Sequence, residues 1–385
     1  MTRTGRPLLG RLVATVAVLG LGFACLGSGM DRIAVQSFGM AAVVPAPLRA
    51  QSLRPLAQLA MIAGQPAATL RLAESAVAAD PVDPASSALL GGARMLANDY
   101  PGAEQAFRVA AGFGWREPLT QRYWYAAALQ SNDYRRAAER LDALLRVNRN
   151  LPDAQVLLAP LEGDPAGRAA LLERLRERPL WLPSYLTPGT RLDRAALERR
   201  SQVLVELAAA GTRLGCWGVA GWAKGALAGG DRASAERVWQ AHCPGAESDG
   251  LLADGEFDRL GSDAAAPFGW QVERSGDVSV RPEAHDGGYR LALRNRASFS
   301  RRVLVQPVAL APGRYRLRGT GPTSVFAASL GCGSRPAMPR LVEGDLAGQG
   351  QILTVTEACD TLQLGIWLRP TDEAVTLDRV TLQPL

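Results

Sequence analysis

The sequence predicts an α solenoid followed by an all-β sandwich, with a membrane helix at the N-terminus. Three observations predict it. An uncharged apolar run from Leu12 to Leu26 follows a cluster of arginines. Small and apolar residues then recur at helical spacing, in blocks of thirty-four residues, until about residue 245. From Leu251 that spacing stops, and apolar residues alternate between turn residues instead. A chain of 385 residues has room for two globular parts and a sizeable core. Its 47% hydrophobic and 21% charged content is that of a folded protein rather than a disordered one.

The first segment, 1–30, has the layout of an export signal. Arg3, Arg6 and Arg11 form a positive region ahead of the apolar run. With Leu8 and Leu9 that run approaches the ~20 residues a spanning helix needs. Positive charge stays cytoplasmic, which puts the rest of the chain outside the cytoplasm. An uncleaved anchor is the expected fate, ahead of a cleaved signal. Gly22-Phe23-Ala24 before Cys25 resembles a lipoprotein cleavage box. It departs at Gly22, where the box has leucine, and at the bulky Phe23. Residues 31–49 read as a linker with a short helix over Ile33–Val44, ended by Pro45 and Pro47.

The helical part spans 50–245. Blocks start at Ala50, Pro84, Pro118 and Pro152. The block at Pro84 places Leu90-Gly91, Ala103, Phe107 and Ala110 at the contact positions of a helical hairpin. The next places Trp124-Tyr125, Ala137, Leu141 and Leu144 there. The block at Ala50 places Leu56-Ala57, Thr69, Ala73 and Ala76. Small residues let the two helices approach, and large ones fill the space to the next hairpin. Turn signals separate the helices at Gly64-Gln65-Pro66, Asn98-Asp99-Tyr100-Pro101 and Ser131-Asn132-Asp133. These residues resemble the tetratricopeptide-repeat family. By that family's pattern, Met95, Arg122 and Gln130 point to the inner face, where a partner protein binds.

Beyond Pro152 the register weakens. Trp181-Leu182-Pro183 and Thr187-Pro188-Gly189 form a long irregular connection, which reads first as packing across a seam, with a functional loop as the alternative. Arg194 to Ala210 is a further amphipathic helix. One more hairpin follows, with Trp222-Ala223, Ala235 and Trp239 in the repeat positions. In that register Cys216 opens one helix and Cys243 ends the other, so antiparallel packing brings them together. Four cysteines outside the N-terminal segment allow three pairings. Two lie in each part, and that locality selects Cys216–Cys243 and Cys332–Cys359. Such usage fits an oxidising compartment.

The β part spans 251–385. Tyr289–Leu293, Val303–Val308 and Tyr315–Arg318 alternate, and Ile352–Val355, Leu362–Leu368 and Val375–Leu382 are late strands. Gly287-Gly288 and Pro312-Gly313 are turns. Many short strands at this spacing mean a sandwich or jelly roll. Gly255-Glu256-Phe257-Asp258 opens this part as a first strand, and a last strand containing Asp378-Arg379-Val380 closes it. The pair resembles the jelly-roll carbohydrate-binding modules. That resemblance implies a structural calcium ion held by Asp258 and Asp378. It also implies sugar stacking on exposed aromatics, for which the candidates are Trp270, Tyr289, Phe299 and Trp367. Trp270 and Trp367 lie in apolar strands and read first as core.

Lys224 is the only lysine among 43 basic residues, a coding bias in the bland reading. The net charge of +6 is small, and no basic run is interleaved with stacking aromatics, so nucleic acid is not an expected partner. The residues suggest no catalytic centre. The two histidines, His242 and His285, fall in different parts. Gly27-Ser28-Gly29 lacks the spacing of a nucleophile elbow. Gly331-Cys332-Gly333 reads as a cystine in a turn. Glu256 and Asp258 form an acidic pair with nothing to mark them as acid and base.

The expectation is therefore a non-catalytic scaffold in the bacterial inner membrane with its bulk in the periplasm. It looks like an accessory protein of exopolysaccharide production or export. The repeats would bind an envelope protein, and the β part a polysaccharide. The alternative is a glycan-processing enzyme with a catalytic jelly roll.

Overall fold

A computed structural model describes residues 6–187, 192–244, 250–260, 266–285, 288–321, 325–332, 346 and 348–385. Arg3, Pro188-Gly189, Gly287 and Gly333 lie outside the described residues. Fourteen α-helices come first among the described residues, and antiparallel sheets follow. The chain divides into two compact units, Met1–Asn148 and Arg149–Leu385.

The first unit opens with α1, Arg6–Ile33. Its apolar side chains from Leu12 to Leu26 are exposed. By length and composition it can cross a membrane or act as a signal sequence. Two short 3₁₀ turns and α2, Phe38–Val43, follow. Here Ala34, Ala41 and Val44 are buried against Met30, Met40, Leu48 and Leu56.

Six helices complete the unit: α3 Leu53–Ile62, α4 Pro66–Ala79, α5 Pro84–Leu96, α6 Tyr100–Gly112, α7 Pro118–Gln130 and α8 Tyr134–Val147. They pack in consecutive pairs. The turn inside each pair uses one device. Gly64, Asn98 and Asn132, each thirty-four residues after the last, take left-handed φ values of 64°, 61° and 57°. After the two asparagines, Asp99 accepts from Gly102 N–H and Asp133 from Arg136 N–H. Between pairs, Asp83 and Glu117 cap α5 and α7, each ahead of a proline at the first helical position.

Most of the expected contact positions are buried in all three pairs, while Leu56, Leu90 and Trp124 are half-buried. The buried ones are Ala57, Thr69, Ala73 and Ala76, then Gly91, Ala103, Phe107 and Ala110, then Tyr125, Ala137, Leu141 and Leu144. Volume is exchanged across the pair. A Cβ on Gly91 would lie 2.7 Å from the Phe107 ring, so a large residue on α6 requires glycine on α5. One block later the large residue is Tyr125 on the first helix, and the buried Leu141 takes the Phe107 position.

The second unit has α9 Ala154–Gly163, α10 Pro165–Arg176, α11 Leu182–Tyr185, α12 Arg194–Ala209, α13 Gly215–Ala228 and α14 Arg232–His242. Trp181, Leu182, Tyr185 and Leu186 of the irregular connection are buried, as a packing role requires. At its centre the Arg200 guanidinium donates to Glu162 Oε1 at 2.7 Å and lies 4.3 Å from the Tyr185 ring centroid. Both charged side chains are 1% exposed. The pair therefore joins α9, α11 and α12.

Ten strands follow among the described residues: β1 Gln271–Val272, β2 Val278–His285, β3 Gly288–Asn295, β4 Arg301–Val308, β5 Gly313–Gly319, β6 Phe326–Cys332, β7 Gln351–Val355, β8 Leu362–Leu368, β9 Val375–Leu377 and β10 Val380–Pro384. They form three antiparallel sheets, ordered β1-β4-β8-β6, β10-β5-β7 and β2-β3-β9. Leu293, Leu304, Leu317, Leu353, Leu364 and Leu377 meet in one core.

Two strand expectations change. Gly255–Asp258 is a turn, not a strand, and Phe257 takes a left-handed φ of 61°. The two ends of the β part still meet, because Val380 N–H donates to Gly255 O at 2.8 Å. Val375–Leu382 is not one strand. The chain leaves the β3 sheet at Leu377 and joins β5 at Val380. Asp378 N–H donates to Thr320 O and Arg379 N–H to Thr320 Oγ1, which holds the crossover.

Candidate functional site

Met95, Arg122 and Gln130 lie on α5 and α7 of the first unit. Met95 and Gln130 are exposed, and Arg122 is half-buried. Gln130 closes α7 as Leu96 closes α5 and Ile62 closes α3, thirty-four residues apart. Ile62 is 78% exposed and Leu96 44%. The first helices thus present a row of open positions whose register was readable, although only Gln130 of the row was expected.

The start of this unit is tied to α1. Asp31, near the end of α1, is buried. Its carboxylate accepts from Ala50, Gln51 and Ser52 N–H at 3.1, 2.7 and 2.9 Å, and from the Ser52 hydroxyl at 2.6 Å. Three successive N–H groups converging on one anion form a nest. Ser52 is the residue before α3 and makes no side-chain cap of its own. Asp31 therefore fixes the entry to the first hairpin from nineteen residues upstream. A lone acidic residue at the end of an apolar run carries no sequence signal for this.

The stacking candidates separate by burial. Trp270 sits in the core near Phe257, with no open face for a sugar ring. Trp367 is half-buried, and its indole N–H donates to Ser329 Oγ at 2.8 Å. Tyr289 and Phe299 are exposed. The Arg301 guanidinium covers the Phe299 ring at 4.3 Å. Cation–π stacking of this kind occupies one face and leaves the other open.

Asp258 lies against Gly288, where its Oδ1 would be 2.8 Å from an added Cβ. Asp378 lies in the β9–β10 crossover. Among the described residues no three His, Cys, Asp or Glu side chains gather as a metal site. Calcium also takes backbone carbonyls and waters, so the two carboxylates stay an expectation from the sequence, and no function is assigned to calcium. Near Asp258, burial raises the Asp254 carboxyl above its usual value, and the Asp258 charge adds to the shift. Glu256 is exposed and paired with Arg379 at 2.5 Å.

Both cystines are present. Cys216–Cys243 joins the start of α13 to the end of α14, and Cys332–Cys359 joins β6 to the segment before β8. They point to an oxidising compartment. Cys25 is free and exposed. Beside the first cystine, the His242 ring bridges Leu204 O at 2.9 Å and Leu214 N–H at 3.2 Å. Burial lowers its pKa, and it holds these two bonds as a neutral ring.

One feature was not anticipated. A cleft of about 410 Å³ opens between α11 and α13, lined by Arg178, Leu182, Leu186, Leu214 and Trp217. Trp217 is 65% exposed. Trp222 on the same helix is fully buried. Five residues at 100° each place Trp217 about 140° away from it, so a helical wheel carries that signal. Compared with known proteins, the chain matches no family model and no curated protein.

Proposed function

We propose that this chain is a non-catalytic envelope adaptor, held by α1 in a bacterial inner membrane with its bulk in the periplasm. Its tetratricopeptide-type hairpins bind a partner protein, and its jelly-roll-type β part contacts glycan, in exopolysaccharide production or export. The observation that carries this reading is the Asp31 nest. It makes the apolar helix continuous with the first hairpin, and so favours a retained anchor over a discarded leader. Two cystines further along the same chain fit an exported body.

Partner binding falls to the open positions of α3, α5 and α7. Photo-crosslinking residues placed at Met95 and Gln130 in the native envelope test it. One discrete adduct shared by both positions is expected. Adducts that form equally at Arg108 on α6 would sink the assignment. The same preparation, incubated with a panel of polysaccharides, should retain glycan without turnover. Release of reducing ends, abolished by Glu256→Gln or Asp258→Asn, would instead make the β part an enzyme.

A further inference from the structure

The outer face of the β10-β5-β7 sheet carries an unusual row. Along β5, Tyr315 and Leu317 point into the core, and Arg314, Arg316 and Arg318 alternate outward. At ~3.4 Å per residue, neighbouring arginines of the row stand ~7 Å apart and the row covers ~14 Å. Arg314 and Arg318 are exposed, and Arg316 is half-buried.

The row's neighbours follow from the strand register. Arg314 faces Thr354 on β7, Arg316 sits between Ile352 and Gln383, and Arg318 faces Thr381 on β10. The strand partners on this face supply hydroxyls, an amide and one exposed apolar side chain, and no acid. Four other arginines of the β part are matched by acids. Arg290 pairs with Glu283, Arg301 with Asp277, Arg302 with Glu273 and Arg379 with Glu256. The three β5 arginines form no ion pair among the described residues, and the Arg316 Nε is buried without a hydrogen-bond partner. Three like charges at this spacing repel one another, a cost that an anionic ligand would remove.

The face is also built rather than loose. Gly350 enters β7 with a left-handed φ of 76°. A Cβ there would meet Leu317 O at 2.7 Å and the Cγ atoms of Arg318 and Arg316 at 2.8 and 3.0 Å. Only glycine lets the backbone cross so close to the two arginine stems. The stems are thereby held side by side on the sheet.

We propose that this face binds an acidic polysaccharide. Arg314, Arg316 and Arg318 pair with carboxylates spaced along an extended chain, and Thr354, Thr381 and Gln383 bond to its hydroxyls. Guanidinium forks match carboxylates in two-point geometry. A flat, regularly spaced row suits a linear polymer rather than one compact anion. An oxidising compartment argues against nucleic acid, and two exposed apolar residues, Ile352 and Leu385, are too few to insert in a membrane. The inference rests on the reading of the β part as a glycan-contacting domain, and it names the class of glycan.

The test uses the full chain in detergent micelles, with alginate as a polyuronate and dextran as a neutral glucan. The triple variant Arg314→Gln/Arg316→Gln/Arg318→Gln should bind alginate at least about tenfold more weakly than the parent. The control Arg274→Gln/Arg281→Gln/Arg296→Gln removes the same charge away from the sheet face, and should bind like the parent. Raising salt should weaken parent binding more than that of the row variant. Equal loss in both triple variants would overturn the proposal, because net charge alone would then explain binding. Undiminished alginate binding by the row variant would overturn it too. If dextran is still bound in that case, the glycan reading itself survives, and binding of neither polymer sinks both. Row-dependent binding of phosphatidylglycerol vesicles or single-stranded DNA as strong as that of alginate would overturn the glycan assignment.

Discussion

Replacing Asp31 should uncouple α1 from the hairpins, and its cost follows from the bonds it makes. Four donors lose their acceptor in Asp31→Ala. They are not equal. Ser52 is fully buried, so its N–H and hydroxyl cannot turn to water. The Ala50 and Gln51 N–H groups belong to half-buried residues, which water reaches more easily. A buried donor left without a partner costs ~1–3 kcal/mol. Two such donors and two partly hydrated ones give about 3–5 kcal/mol, at the upper end of single-mutant effects. In a unit of this size that lowers the melting temperature by about 10 °C. Asp31→Asn keeps one acceptor oxygen and turns an amide NH₂ toward the remaining donors, so about half the cost is expected.

The measurement is thermal unfolding of the full chain in detergent, with hydrogen exchange read at Gln51 and Ser52. Both amides should lose protection in Asp31→Ala, while those of α7 and α8 keep theirs near native conditions. A loss of less than 1 kcal/mol, or unchanged protection at Ser52, would refute the reasoning. It would also remove the observation on which the anchored reading rests.

Three further outcomes are expected. Arg200→Met strands the Glu162 carboxylate at 1% exposure, so it should cost ~3–5 kcal/mol in urea unfolding followed by tryptophan fluorescence. The double variant with Glu162→Leu should regain most of that, and a double as unstable as the single would show that the pair is not the cause. His242 has a folded pKa below its unfolded value of 6.5, so between those two values the unfolded chain binds more protons. Its contribution is complete above pH 6.5 and is lost as pH falls from there through the lowered folded value. His242→Gln should flatten that slope, and an unchanged slope would clear His242 of the role. Each cystine joins residues 27 apart, for which loop closure stabilises by about 3.5 kcal/mol. Single Cys216→Ser and Cys332→Ser variants should therefore lose similar stability, and non-reducing peptide mapping should show no Cys243–Cys332 link.

Where local chemistry decides the structure, residues alone were enough. Asn98-Asp99 and Asn132-Asp133 each combine a residue that tolerates left-handed φ with a capping carboxylate, so the turn could be read directly. Gly91 and Phe107 were legible together because one demands the other. The cystine pairs followed from register and locality. Where a distant partner decides, the sequence is silent. Asp254 and Phe257 take left-handed backbone that non-glycine residues seldom adopt, so Gly255–Asp258 reads as a strand until Val380 is seen to bond Gly255. The alternation of Val375–Leu382 hides its break at Asp378, because Thr320 supplies the acceptors that turn the chain. Arg200 falls in a helix whose charges otherwise face water, and distant partners keep it inside: Glu162, thirty-eight residues away, with Gln155 and Tyr185. Among the site candidates, burial removes Trp270, and the open Trp217 lies on the opposite side of α13 from the buried Trp222 that marks the repeat position.

The two units are stabilised by different means, and that bears on which surface is free to bind. In the first, alanine and glycine contacts bring helices close, and capped turns close each pair. Small contacts bury little area each, so such a unit has no need to draw its exposed ends inward. Ile62, Leu96 and Gln130 therefore stay open at one repeated position. In the second, Trp222 and Trp239 fill the α13–α14 hairpin, a cystine closes it, and the Arg200–Glu162 pair fixes the connection. Most large apolar groups of its helical part are spent on the interior, and Val156, Leu180 and Trp217 are exceptions. The repeated row also changes character along the chain, from Ile62 and Leu96 to the amide of Gln130. A partner lying along it meets apolar surface at the hairpins next to α1 and a hydrogen-bonding group at the far one. Its contact should therefore weaken most when Ile62 and Leu96 are changed together. On the proposed partner binding, the strongest part of the interface then lies at the end of the unit that Asp31 ties to α1.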